Sequence, residues 1–272
     1  MSLNIFVPKE LIQNEMELEL RMGVLMAFCW IRRYGSYDGY YSGTMEYIMK
    51  EYGLHYDETK TKQLPKQMVN FVRGLDYLLD KGILNIKEGD YYDIHSLFVV
   101  KITYDKFEKR YVSLNSDYFD YIFAIEKRIN KMGLLYILLF VLCGFVSKKN
   151  SNGKKEYFHA CAYSLDGMAY KTGLTRISVY NYLKNLSIEE GSIGNAPLVK
   201  SRLWYITING QIIRFPNIFV ENIPNYEEII ELQREILKNK FRTKEDKIEV
   251  GYDSFDNDNF GYYADFDETE FL

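Results

Sequence analysis

Three residues, Gly173-Leu174-Thr175, constrain this chain more tightly than any others. They interrupt the stretch 163–186, YSLDGMAYKTGLTRISVYNYLKNL, which otherwise reads as helix on both sides. Ser164 suits an N-cap ahead of Leu165, Met168 and Ala169, which recur at helical spacing. Gly173 stands where the first helix has to stop, because glycine takes a left-handed backbone at little cost. Thr175 can cap a second helix whose Val179, Leu183 and Leu186 share one side. The other side carries Arg176, Ser178, Asn181 and Lys184, side chains that donate to phosphates and base edges. The spacing thus predicts helix, tight turn, helix, with an apolar face inward and a polar, cationic face outward. The alternative is an ordinary helical hairpin inside a core.

The rest of the chain suggests that this plan occurs twice. In the first half, Pro8 discourages helix in the lead-in 4–11, and 16–34 reads as a long helix with Leu18, Met22, Leu25, Met26 and Cys29 as its apolar stripe. GSYDGYYSG (35–43) reads as a loop. A short helix is predicted over 44–52, and a longer one from Pro65 to Lys81 with Val69, Val72, Leu75, Leu78 and Leu79 inward. The exposed side of that helix and its approach offers Lys60, Lys62, Lys66, Gln67, Asn70 and Arg73. Gly82 ends it, 83–86 reads as a strand, and 91–94 as the returning strand.

In the second half, YVSLNSDYF (111–119) parallels IFVPKELI (5–12), and the helix ending near Val146 parallels 16–34. SKKNSNGKKEYF (147–158) parallels the loop 35–43, and YSLDGMAYKTG parallels YSGTMEYIMKEYG. A hairpin over 198–215, with Asn209-Gly210 as its turn, brings the basic residues Lys200, Arg202 and Arg214. A further helix is expected over 225–241, followed by an acidic tail whose composition predicts disorder.

The pattern Ala169-x3-Gly173-Leu174-Thr175-x2-Ser178-Val179-x3-Leu183-x2-Leu186 resembles the helix-turn-helix of winged-helix DNA-binding domains. The run Phe71-Val72-x2-Leu75-x2-Leu78-Leu79-x2-Gly82-Ile83-Leu84 looks like the last helix and first wing strand of such a domain. Two of them in tandem resemble the replication initiators of plasmids and phages from low-GC bacteria. That resemblance implies an α+β, mostly helical protein. Its parts would be a first winged-helix unit (1–100), a second (101–220), a C-terminal helix (221–245) and an acidic tail (246–272). It implies sequence-specific binding of double-stranded DNA in replication initiation, through Thr175, Arg176, Ser178, Asn181, Lys184, Lys200 and Arg202 in one unit and Lys62, Lys66, Gln67, Asn70 and Arg73 in the other. The alternatives are a transcriptional regulator using the same units and a protein-binding scaffold.

Charge is compatible with this. The net charge is −4, but 251–272 holds seven acidic residues and no Lys or Arg. Setting those aside leaves 34 basic against 31 acidic residues, a mildly basic body with an acidic tail. The tail can solubilise, dock replication proteins through Phe266, Phe271 and Leu272, or lie in the DNA site as a phosphate mimic.

Three cysteines are too few for a disulfide framework, and His159 with Cys161 lacks the second ligand pair of a zinc site. No phosphate-binding glycine loop, nucleophile elbow or paired-histidine motif is present, so neither enzyme nor cofactor is expected. The N-terminus carries no cleavable signal pattern. The apolar run 132–146 is short of the ~20 residues that span a bilayer. A buried core helix, a cytoplasmic protein and no membrane partner are the expectation, with oligomer formation left open.

Overall fold

The computed structural model describes residues 4–13, 15–54, 64–103, 110–125, 128–208, 211–240 and 248–252. The chain is a mixed α+β protein that forms two compact units, Met1–Leu139 and Phe140–Leu272.

In the first unit β1 (Asn4–Pro8) leads into α1 (Lys9–Ile12) and α2 (Leu18–Tyr34). β2 (Tyr40–Gly43), α3 (Met45–Glu51) and α4 (Lys66–Asp80) follow, then β3 (Leu84–Glu88) and β4 (Phe98–Ile102). These strands form an antiparallel sheet in the order β2-β4-β3, so the strand before the helix pair lies beside the last strand. Alternation sets its inner face: Phe98, Val100 and Ile102 are buried and the residues between them half-buried. The returning strand is β4; the expected strand at 91–94 is instead a series of turns, held to α4 where Tyr91 and Tyr92 both donate to Asp76 Oδ1 at 2.5 Å.

Helix α2 is buried continuously from Met22 to Ile31 because it is apolar on every side there. It crosses α4 at glycines. A Cβ on Gly74 would lie 2.4 Å from the Gly23 carbonyl carbon, and one on Gly23 would lie 2.0 Å from the Asn70 carbonyl oxygen. Trp30 anchors the aromatic core, with the rings of Tyr34, Tyr52, Phe119 and Phe123 4.5–6.4 Å away and its indole N–H donating to Tyr41 (3.1 Å).

Phe119 and Phe123 belong to α5 (Ser116–Ala124), and β5 (Tyr111–Asn115) pairs antiparallel with β1, Val7 opposite Val112. These contacts tie 111–124 to the first unit. The division between the two units falls at 139/140, within α6 (Lys131–Cys143).

In the second unit β6 (Phe145–Lys149) and β7 (Lys155–Cys161) form a hairpin where a loop was expected. Asn150 Oδ1 closes its turn by accepting from the N–H groups of Asn152 and Lys154 (3.0 and 2.9 Å). Then come α7 (Leu165–Thr172), α8 (Arg176–Leu186), β8 (Ser187–Glu189), β9 (Leu198–Lys200), β10 (Trp204–Ile208), β11 (Gln211–Phe215), β12 (Phe219–Glu221) and α9 (Tyr226–Lys240). The main sheet runs β6-β7-β12-β9-β8, again with the strand before the helix pair beside the last strand. β10 and β11 stand between β9 and β12 as a separate hairpin; its turn, 209–210, lies outside the described residues. Trp204 stacks on Phe215 at 4.0 Å in a core closed by Ile229, Ile230 and Leu237 of α9.

A last strand, β13 (Ile248–Tyr252), pairs antiparallel with β10, Trp204 opposite Tyr252. Within the segment 246–272, expected to be disordered, residues 248–252 form this strand; residues 246–247 and 253–272, including Phe266, Phe271 and Leu272, lie outside the described residues. Among the described residues no helix is long and apolar enough to cross a membrane, and no group of His, Cys, Asp and Glu could hold a metal.

Candidate nucleic-acid interface

The α7–turn–α8 element forms as its residues dictate. Ser164 Oγ accepts from the Gly167 N–H at 3.0 Å and caps α7. Gly173 ends it at φ 74°, its N–H donating to the Ala169 carbonyl. Thr175 Oγ1 accepts from the Ser178 N–H at 3.2 Å and caps α8. Val179, Leu183 and Leu186 are buried. That apolar stripe fixes the rotation of α8, so Asn181 and Lys184 must lie on the solvent side, and both are exposed.

The polar face of α8 carries no carboxylate of its own. Lys184 has no ion-pair partner among the described residues. The Asn181 side chain is likewise uncommitted; only its carbonyl is used, accepting from Asn185 Nδ2 at 2.6 Å. Arg176 is half-buried at the head of the helix, with its Nε 3.5 Å from Asp166 of α7. The Ser178 and Thr175 hydroxyls are 2.9 Å apart. Ile177, 73% exposed, and Tyr180 add apolar surface on the same helix, which the sequence reading did not single out.

Lys200 joins this face from β9, with Nζ 3.4 Å from Glu189. Arg176, Lys184 and Lys200 line one cavity of about 220 Å³, together with Asp166, Glu189 and Asn217. Arg202 is exposed close by in sequence, and its backbone N–H donates to Glu190 (2.8 Å). Glu190 is itself clamped by the buried Arg234 (2.8 Å); desolvation works against the charge on its guanidinium, but the hydrogen bonds it donates to Glu190 and Glu231 hold it above its usual pKa.

The candidate residues of the first unit behave differently. Asn70, expected on the exposed side of α4, is only 7% exposed: its backbone abuts Gly23 in the α2–α4 crossing, which turns that position into core. Val69, expected inward, is exposed instead. Lys66 pairs with Glu19 (2.5 Å) and Arg73 with Glu17 (2.8 Å), both acids coming from the start of α2. The hydrogen bond from Lys66 holds the Glu19 carboxyl below its usual range. Gln67 is half-buried, and Lys60 and Lys62 lie outside the described residues.

A second basic feature escaped the sequence reading. The β6–β7 hairpin carries Lys148, Lys149, Lys154 and Lys155, with Phe145 and Tyr157 exposed edge-to-face at 5.6 Å near its base. The cue was the turn-forming run Asn150-Ser151-Asn152-Gly153 between two lysine pairs. Lys148 is tied to Glu228 of α9.

Comparison with protein-family models, curated proteins and solved structures found no match. Function is therefore argued from the site itself.

Proposed function

We propose that this chain binds double-stranded DNA sequence-specifically, with α8 as the helix that enters the major groove. The observation that carries this reading is the outward face of α8: Asn181 and Lys184 are exposed and uncommitted, with no acid on the helix. An amide can donate and accept at an adenine edge, and a lysine can reach phosphate or guanine. Each unit is read as a winged-helix module. Its support is the shared order of a strand, two helices and returning strands, with the strand before the helix pair beside the last strand of the sheet in both units (β2-β4-β3 and β7-β12-β9). The duplication favours the resemblance to plasmid or phage replication initiators, whose linked modules bind with raised effective concentration.

The test is selection of bound fragments from the source genome, followed by titration of the selected site. Four cationic contacts (Arg176, Lys184, Lys200, Arg202) give a log affinity against log salt slope of about −3.6. Asn181→Ala should weaken the cognate site and relax base preference at one position. Repeated sites in an origin support replication initiation, whereas a site overlapping a promoter supports transcriptional regulation. Absence of any salt-sensitive DNA affinity overturns the reading and leaves a protein-binding scaffold.

A further inference from the structure

The cavity beside α8 presents one uncommitted cation to an anionic partner. Its lining holds three cations, Arg176, Lys184 and Lys200, and two carboxylates, Asp166 and Glu189, a net charge of +1. The carboxylates lie within 3.5 Å of Arg176 and Lys200, so Lys184 is the cation left over. An acidic peptide offers carboxylates for that lysine.

Such a peptide is attached nearby. β13 pairs along β10 with Tyr252 opposite Trp204, and Leu203, the residue before Trp204, lines the cavity. The Arg234 guanidinium lies 5.0 Å from the Tyr252 ring, a further hold on the strand. From Tyr252 the chain continues for residues 253–272, with seven carboxylates and no Lys or Arg. At about 3.3 Å per residue that segment reaches up to about 66 Å, far more than the approach requires. Tethering at this range gives an effective concentration on the order of millimolar, so weak individual contacts suffice.

We propose that residues 253–272 dock in the cavity lined by Arg176, Lys184 and Lys200, occupying the cationic face of α8 from within the same chain. The docking does not depend on the DNA reading; if that reading holds, the segment competes with DNA for Lys184. The anchor strand β13 and the ligand segment then divide the labour, one fixing position and the other supplying charge.

The experiment uses the full chain without DNA. Phe266 is replaced by the photo-crosslinker benzoylphenylalanine, and the crosslinked peptides are identified by mass spectrometry. Crosslinks within one chain to 163–189 or 200–219 are expected. Lys184→Glu, at an exposed helix position where folding is not at stake, should cut their yield at least fivefold, as should 0.5 M salt. A synthetic peptide 253–272 is then titrated into the full chain and into a variant with all seven acids of the segment made Asn or Gln. The neutralised variant should bind the peptide at least fivefold more tightly, its cavity being vacant. Crosslinks elsewhere, crosslinks only between chains, yields indifferent to Lys184→Glu, or equal peptide binding by the two proteins would each overturn the proposal. None of these readouts changes if DNA binding itself proves absent.

Discussion

Helices α4 and α8 hold the same place in the order of their units, yet their outward faces differ. Each is the second helix after the sheet's first strand, and each is followed by strands that return beside it. α4 has its cations neutralised by Glu17 and Glu19, and of its two outward-expected amides Asn70 lies in the helix crossing and Gln67 is half-buried. α8 keeps Asn181 and Lys184 in solvent. A shared topology therefore does not imply a shared surface. The glycine crossing that brings α4 close to α2 also brings the acids at the start of α2 within reach of Lys66 and Arg73. On this reading the duplication yields one helix suited to a groove and one committed to architecture.

The largest expected effect breaks the comparison on its structural side. Gly74→Ala forces a methyl onto the Gly23 backbone and should destabilise the first unit by about 3 kcal/mol. Denaturant unfolding should report this as loss of the Trp30 environment, with Trp204 unaffected. Next comes the functional side. Asn181→Ala with Lys184→Ala should lower affinity for a selected DNA site by about 2–3 kcal/mol, roughly 30–150-fold. Lys66→Ala with Arg73→Ala should change it less than about threefold, since exposed pairs contribute ~0–1 kcal/mol. Equal losses in the two double variants would erase the distinction. Gly173→Ala should cost about 1–2 kcal/mol of second-unit stability through its left-handed backbone, with open space around it, again read by denaturant midpoint. The smallest effect sharpens the contrast: Glu17→Gln with Glu19→Gln should raise DNA affinity by about two- to threefold, because the freed charges are solvent-screened.

The residues tell why some of this was legible beforehand. Ser164, Gly173 and Thr175 act within their own turn, so their capping and stopping roles follow from local sequence and are found as expected. The stripe of Val179, Leu183 and Leu186 fixes which side of α8 faces water. Long-range partners were not legible. Nothing local to Asn70 says that Gly23 will press against its backbone, nor that Glu17 and Glu19 will meet Arg73 and Lys66. β5 looked like the opening of the second half because its own sequence parallels β1; its hydrogen bonds go back to β1 itself. β13 does alternate, Ile248, Val250 and Tyr252 with Glu249 and Gly251 between them, but five residues at the head of an acidic stretch are too few to mark a strand without its partner β10. The Lys149–Lys155 turn read as a loop because its lysines and asparagines mask the strands on either side.

The β1–β5 ladder has a bearing on how the protein is made. Its two strands are separated by about a hundred residues, so Ile5 and Val7 emerge from the ribosome long before Val112 and Leu114. At 5–20 residues per second the interval is about 5–20 s, during which the leading strand has an open edge. Translation speed, rather than intrinsic stability, then governs how much nascent chain is exposed to wrong pairings.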